Sequence, residues 1–380
     1  MDPWIEQAAA DIARRAPREL EALVAVSSPS GDVHGAEECA SVCAVMLPDE
    51  AEIERVPCSS PGHADDAIVR LTGTGGGAHG RRLLLVGHLD TVVPHARHRP
   101  AERDGEHLIG SGASDMKGGD ALALGLLRAL ATRRETFAEV ALLLVVDEEW
   151  RTAPFAHVER FAGWDACLCF EAGERDADGN EAVIVQRKAA ATLRVRGHGR
   201  AAHSGAAPDR GRNALLALAA AAQAVAAAHV PDGPDRLTAV PTILNSGDAF
   251  NVVPATGELL CDLRSDRTAA FEELRARLPA EVGGATLTSE LVRVWPAMDA
   301  RAATAPLLAR ASAQLGQPIV ANGRGGASDA SHFAPAIPFT VDGLGPRGGG
   351  AHTPGEYLAL DSLRPRAAVA LALADAVLTS

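Results

Sequence analysis

Three short apolar runs constrain this chain more than anything else in it. LLLV at Leu83–Val86, VALLLVV at Val140–Val146 and DACLCF at Asp165–Phe170 are too short for buried helices and read as buried strands. Each is followed by groups that hold protons or cations. His88 and Asp90 follow the first, Asp147, Glu148 and Glu149 the second, and Glu171 the third. In parallel sheets, ligand sites lie beyond the carboxyl ends of the strands. One acidic strand end is common and means little, but three at one sheet edge are hard to explain by packing alone. Side chains two apart in a strand share a face, so His88 and Asp90 leave on the same side. Such a pair is either a metal ligand with its orienting carboxylate or a buried pair that holds a turn. The acidic triplet is either a solvated loop or a cation site, since adjacent carboxylates tolerate burial only with cations or protons nearby.

The rest of the 380-residue chain sets limits around this edge. Its 47% apolar and 22% charged residues are ordinary for a globular protein of two or three domains. A net charge of −13 argues against nucleic acid as the main partner, because phosphate binding needs a clustered basic surface. Six scattered cysteines contain no CxxC, so neither a zinc ribbon nor a disulfide framework is expected, and Cys167 and Cys169 read as inert core thiols. The acidic start MDPWIEQ lacks the apolar stretch of a signal peptide. The greasiest stretch, 214–228, is mostly alanine and too short to span a bilayer. A soluble, cytoplasmic protein with no membrane partner is expected.

In chain order, helical spacing predicts helices over 4–26, 36–47, 121–131, 213–229, 268–278, 306–315 and 362–378. Further strands are expected at 53–56 and 67–71. The glycine-rich GTGGGAHG at 73–80 feeds a strand rather than opening a helix, which argues against a phosphate loop and for a flexible hairpin tip. In LIGSGASDMKGGD at 108–120, Asp115 precedes a helix and is either its N-cap or a metal ligand. Met116 reads as packing and Lys117 as a surface charge. From about Gln186 the pattern becomes strand–helix–strand–strand–helix–strand, the order of a ferredoxin-like sandwich. The expected organisation is a larger domain in two segments, 1–186 and 297–380, around an inserted domain at 187–296.

Nine motifs then fall into one order: GHLDTV at 87–92, GSGASDMKGG at 110–119, DEE at 147–149, FE at 170–171, GRAAHSG at 199–205, NVVP at 251–254, DLR at 262–264, GGASDASHF at 325–333 and GGAHTPGEY at 349–357. Together they resemble the M20 family of di-metal aminoacylases and carboxypeptidases, most closely its glutamate carboxypeptidase branch. The resemblance implies an α/β zinc-peptidase catalytic domain of the phosphorylase/hydrolase-like class, with an inserted α+β ferredoxin-like lid and dimerisation domain. It implies two divalent ions per chain, zinc with cobalt or manganese also tolerated by such ligands. Asp115 would bridge them, His88 and Glu171 would complete one site, and Glu149 and His352 the other. Asp90 would orient His88, and Glu148 would be the general base toward a metal-activated water. His203 would stabilise the oxyanion across a homodimer formed through the lid. Asn251 and Arg264 would bind the substrate's carboxylate or the developing oxyanion. The implied substrate is an N-acyl amino acid or short peptide with a free carboxylate.

Several residues keep competing readings. His332, in SDASH, rivals His352 as a ligand; the glycine-rich lead and PGEY tail of His352 match the family's ligand segment better, leaving Ser328 and Asp329 to shape the pocket. Arg264 could simply pair with Asp262 or Asp266. His34, His63, His79, His95, His98, His107, His157, His198 and His229 read as surface residues. Trp150, Arg151 and Thr152 depart from the small glycine-containing turn usual after the acidic pair, and Ala189 from a glycine. A biosynthetic deacylase or desuccinylase shares the metal core. A non-catalytic binding protein would be marked by a lost base or ligand, and none is lost.

Overall fold

The computed structural model describes residues 2–74 and 80–379, which fall into two units. The larger contains the chain up to Gln186, Asp299–Gly323 and Ser328 onward; the smaller contains Arg187–Met298 and Arg324–Ala327.

The larger unit is built on a six-stranded sheet. Its strands are β1 (Glu52–Val56), β2 (Asp66–Thr72), β3 (Arg82–His88), β4 (Glu139–Val145), β5 (Ala166–Cys169) and β6 (Thr340–Val341), in the order β1-β2-β4-β3-β5-β6. From β4 to β6 all neighbours run parallel, while β1 and β2 are antiparallel at one edge. Both faces are covered. Leu83, Leu84, Leu85, Leu142 and Leu143 are all fully buried, which is why these strands read as unbroken apolar runs rather than alternating ones.

Its helices are α1 (Pro3–Ala25), α2 (Val33–Val45), α3 (Gly118–Ala131), α4 (Arg301–Leu315) and α5 (Leu363–Leu378). The Asp2 carboxylate caps α1 by accepting from Trp4 N–H at 2.8 Å, and Asp32 caps α2 by accepting from Gly35 N–H at 2.6 Å. Helices α1, α3 and α5 pack on one another, and α3 and α5 also touch β3. Helix α4 starts a turn before Pro306. The proline costs it one hydrogen bond, at the carbonyl of the exposed Ala302. Among the described residues, no helix is long and apolar enough to cross a membrane.

Three local expectations need correction. Strand β4 lies between β2 and β3, so the connection between those two strands is not a hairpin. The glycine-rich residues 75–79, His79 among them, lie outside the described residues. Lys117 is fully buried rather than on the surface. Its ammonium donates to the carbonyls of Leu23 at 3.1 Å and Val26 at 2.7 Å, satisfying the C-terminal end of α1. His157 is likewise buried, with Nε2 2.7 Å from Asp66 Oδ2; a charged partner in the core makes its burial affordable.

The smaller unit has strands Ala189–His198, Thr238–Ser246, Thr256–Ser265 and Ala285–Trp295, with helices Ala214–Ala227 and Ala269–Arg275. In space the strands run Thr238–Ser246, Thr256–Ser265, Ala189–His198, Ala285–Trp295, all antiparallel, the arrangement of a ferredoxin-like sandwich. Here the strands alternate: Leu193 and Val195 face a core with Leu218, Val225 and Phe271, while Arg194 and Arg196 point away. The edge strand Thr238–Ser246 leaves Val240, Ile243 and Leu244 exposed. The motif NVVP is a loop leading into the next strand, not its first residues.

Candidate metal centre

Strands β3, β4 and β5 end side by side, with His88 opposite Val145 and Val86 opposite Cys169. Their parallel direction brings the three polar tails to one edge. Asp90 ties two of them together: its carboxylate oxygens accept from the backbone N–H of Glu148 and of Glu149, both at 3.1 Å. His88 Nδ1 lies 3.0 Å from the Asp90 carbonyl and 3.4 Å from its carboxylate. That anchor turns Nε2 outward, 3.1 Å from Asp115 Oδ1 and 3.9 Å from Glu171 Oε1. Gly87 is glycine for a nearby reason: a Cβ there would sit 2.0 Å from the Asp120 carboxyl.

Asp115 does not cap the helix that follows it. Its loop is held by Glu356, whose carboxylate accepts from the N–H groups of Gly112, Ser114 and Asp115 at 2.8–2.9 Å. The two Asp115 oxygens then face different imidazoles, Oδ1 toward His88 and Oδ2 toward His352 Nε2 at 3.1 Å. His352 Nε2 is also 3.2 Å from Glu149 Oε2. His352 holds a left-handed backbone, φ 65°, a strained conformation for a residue with a Cβ and one that clusters at functional sites. Ligand atoms of His88, Asp115 and Glu149 lie within 4.8 Å of one another, close enough to share a cation.

The charges here require compensation. Burial opposes protonation of His88, but its hydrogen bonds to Asp115 and Asp90 outweigh that and hold its pKa well above the usual imidazole value. Hydrogen bonds to Asp115 and Glu149 push His352 up to about 10. Asp115 is half-buried, which alone would raise it, yet it is held below the usual carboxylate range by His352 and His88. Burial raises Glu148 well above its ordinary value, with Asp329, Glu171 and Glu149 adding repulsion. Glu149 is raised mainly by burial as well. The cluster sets five carboxylates against two imidazoles, so its negative charge calls for positive partners. A mixed set of imidazole and carboxylate donors, two of them on opposite oxygens of one aspartate, fits a pair of divalent ions.

The acidic triplet divides: Glu149 meets His352, Glu148 feels the charges of His88, Glu171 and Asp329, and Asp147 turns to Ser60 and Arg151. His332 stays out of the cluster. It stacks on Phe155 at 4.8 Å, and burial pushes its pKa down to about 4. Ser328 donates to the buried Asp342 at 2.5 Å, and Asp329 pairs with Arg151.

In the smaller unit, His203 is exposed. Its Nδ1 accepts from Gly205 N–H at 3.2 Å and Ala206 N–H at 3.1 Å, so Nε2 carries the proton of the neutral ring. The exposed Asn251 is tied to the same loop, its carbonyl accepting from Ser204 N–H at 3.0 Å. Arg264 is paired with Asp262 at 3.1 Å.

Sequence reasoning assigned no role to Glu356 or Asp120. Glu356 carried a signal, an acid in the middle of a glycine-rich ligand motif. Asp120 carried none: it reads as the first turn of a helix, yet it is fully buried and neither carboxyl oxygen finds a hydrogen-bond donor among the described residues. Burial pushes its pKa up to about 8.

Comparison with known proteins bears on the whole arrangement. The model of peptidase family M20/M25/M40 matches residues 84–376. Carboxypeptidase G2 of Pseudomonas sp. (strain RS-16) is 26% identical over 381 residues, covering 96% of this chain and 90% of that one. Succinyl-diaminopimelate desuccinylase of Methylobacterium sp. (strain 4-46) is 32% identical over 362 residues, covering 85% and 87%. The Bacillus subtilis YXEP protein, a dinuclear metal-binding peptidase of the M20 family, shares the fold with a TM-score of 0.69 at 17% identity, over 97% of this chain and 99% of that one. This chain belongs to peptidase family M20/M25/M40, and it is a hydrolase.

Proposed function

We propose that this protein hydrolyses an amide bond adjacent to a free carboxylate, in an N-acyl amino acid or short peptide, using two divalent ions and Glu148 as general base. The observation that carries this reading is Asp115, set between His88 and His352 with one oxygen toward each. His88 and Glu171 would hold one ion, Glu149 and His352 the other, with Asp115 between. Zinc suits these donors, and cobalt or manganese is tolerated by them. When bound, the ions supply Lewis acidity toward the amide carbonyl and lower the pKa of water.

The chain's own residues supply the remaining steps. Glu148 takes the proton of the attacking water and passes it to the leaving amine. Burial, with neighbouring carboxylates adding to it, raises its proton affinity, which suits a group that must hold that proton between the two transfers. Asp90 keeps the His88 ring and the Glu148 turn in fixed relation. The outward Nε2–H of His203 would donate to the oxyanion, an interaction worth about 3–4 kcal/mol for one well-placed donor. Asn251 and Arg264 would hold the substrate carboxylate or the oxyanion, Arg264 exchanging its Asp262 partner for it. We place His203 in the site of the other protomer of a homodimer, assembled through the smaller unit. The exposed Val240, Ile243 and Leu244 on an edge strand support that assembly. Full activity in a strictly monomeric protein would contradict it.

A second reading, a desuccinylase, is favoured by the 32% identity to succinyl-diaminopimelate desuccinylase. A single panel separates the two. Metal-free protein is assayed with N-acyl amino acids, dipeptides and N-succinyl diamino acids, with and without Zn²⁺, Co²⁺ or Mn²⁺. Metal-restored cleavage of acyl amino acids or dipeptides supports the first reading, and cleavage confined to succinyl substrates the second. Silence across the panel with two ions bound per chain refutes both.

A further inference from the structure

Arg151 occupies a position where a small turn residue was expected, and it is almost completely buried, 3% exposed. Its guanidinium reaches two carboxylates. Nε and Nη2 donate to Asp147 Oδ1 at 3.0 and 2.9 Å, while Nη1 and Nη2 donate to the two Asp329 oxygens at 2.5 and 3.0 Å. The other Asp147 oxygen accepts from the Ser60 N–H at 3.0 Å and hydroxyl at 2.7 Å, and that hydroxyl accepts from Thr152 N–H at 2.8 Å. The Phe155 ring covers the guanidinium at 4.5 Å and stacks on His332, three residues after Asp329. One side chain thus fastens three segments: the one with Ser60, the turn from Asp147 to Phe155, and Ser328–Phe333.

Glu148 lies inside this fastening. The backbone of the Glu148–Glu149 turn hangs from Asp90 on one side. On the other side the same turn is pinned through Asp147 to Arg151 and Ser60. Without the guanidinium, the buried carboxylates of Asp147 and Asp329 would lose the cation they share, and the turn would keep only Ser60 on that side. Misplacement of a catalytic group by about 1 Å costs on the order of 10²-fold in rate. Only a planar fork meets Asp329 with two parallel bonds while also reaching Asp147; an ammonium cannot.

We propose that Arg151 is a positioning residue for the general base, fixing the Glu148 turn by bridging Asp147 to Asp329. The proposal rests on the hydrolytic reading above. The test compares Arg151→Lys, Arg151→Met and Asp329→Asn with the unsubstituted protein. It measures kcat and KM separately, metal per chain by elemental analysis, and hydrogen exchange of residues 146–152.

In Arg151→Lys, kcat falls about 10- to 100-fold with KM within about threefold and metal content unchanged, while exchange rises in residues 146–152 and not in β4. Asp329→Asn, which leaves the Asp147 bonds, shows a smaller loss. Should Arg151→Met fail to fold, the other two variants decide. A kcat within twofold and unchanged exchange in Arg151→Lys would overturn the proposal, as would a loss of rate that tracks lost metal. If the unsubstituted protein cleaves none of the panel, the hydrolytic reading fails by itself, and unchanged exchange in Arg151→Lys still refutes the positioning role separately.

Discussion

His88, Asp115, Glu149 and His352 each lean on another polar group at the carboxyl edge of the large sheet, whereas in the smaller unit His203 accepts from backbone N–H groups two and three residues on, and Asn251 meets that loop through its own backbone carbonyl, which accepts from Ser204 N–H. The difference follows from what each set meets. Carboxylates crowded at one sheet edge repel one another, so other residues must hold them in place. Asp90 and Glu356 do this, each accepting from two or three amides. Two amides on Nδ1 fix the His203 ring and leave its Nε2 edge free, the arrangement that the proposed oxyanion donor requires. Substitutions in the first region should therefore alter metal binding and stability, and substitutions in the second should alter turnover alone.

Removal of the base is the strongest probe. Glu148→Gln should lower kcat by about 10³-fold or more, with two ions per chain still present by elemental analysis. Retained turnover would remove Glu148 from the mechanism. Next comes His203→Ala, expected to cost about 10²- to 10³-fold in kcat with melting temperature and metal content unchanged. A drop in metal content would erase the contrast between the two regions. Asp90→Asn is expected to weaken metal affinity about 10- to 100-fold in a competition titration with a chelator, because an amide accepts poorly from the two N–H groups the carboxylate now serves. Affinity equal to that of the unsubstituted protein would mean that the turn holds itself.

The last effect is on stability rather than on turnover or metal affinity, and it concerns Asp120, whose carboxyl is raised to about 8 by burial. A carboxyl with a raised folded pKa contributes its stability below its unfolded value of about 3.9 and loses it as pH rises through the folded one. Stability should therefore decline between about pH 4 and pH 8 in the unsubstituted protein. Asp120→Asn should flatten that decline and stabilise by up to about 4 kcal/mol at pH 7, with little change at pH 4. Denaturant melts at the two pH values decide it, and parallel curves would show that the carboxyl is already solvated.

Much of the fold, and the convergence of the candidate site residues, was legible in the sequence because both are local. A run such as LLLVGHLD carries its strand, its burial and its polar end within eight residues. The order of motifs did the rest. What could not be read was pairing over long separations. Nothing in the glycine-rich 73–80 stretch says that β4, made sixty residues later, will come between β2 and β3. Lys117 looks like a surface charge until Leu23 and Val26 place two carbonyls beside it. Arg151 looks like a local irregularity until Asp329, 178 residues away, supplies its second carboxylate. Buried charges are legible only when both partners are known, and in this chain the partners lie far apart.

The division of the larger unit into separate chain segments also orders events during synthesis. The acidic tails of β4 and β5 are made before residue 187, but His352, Glu356, β6 and α5 come after the smaller unit. The ribosome needs roughly 6–20 s to translate the intervening residues Arg187–Met298. Throughout that interval the nascent first segment carries one imidazole of the cluster without the other, and α1 and α3 lack the α5 surface they pack against. The smaller unit has its own core and can close first. Any metal site that includes His352 is thereby completed only with the chain, not with the folding of its first half.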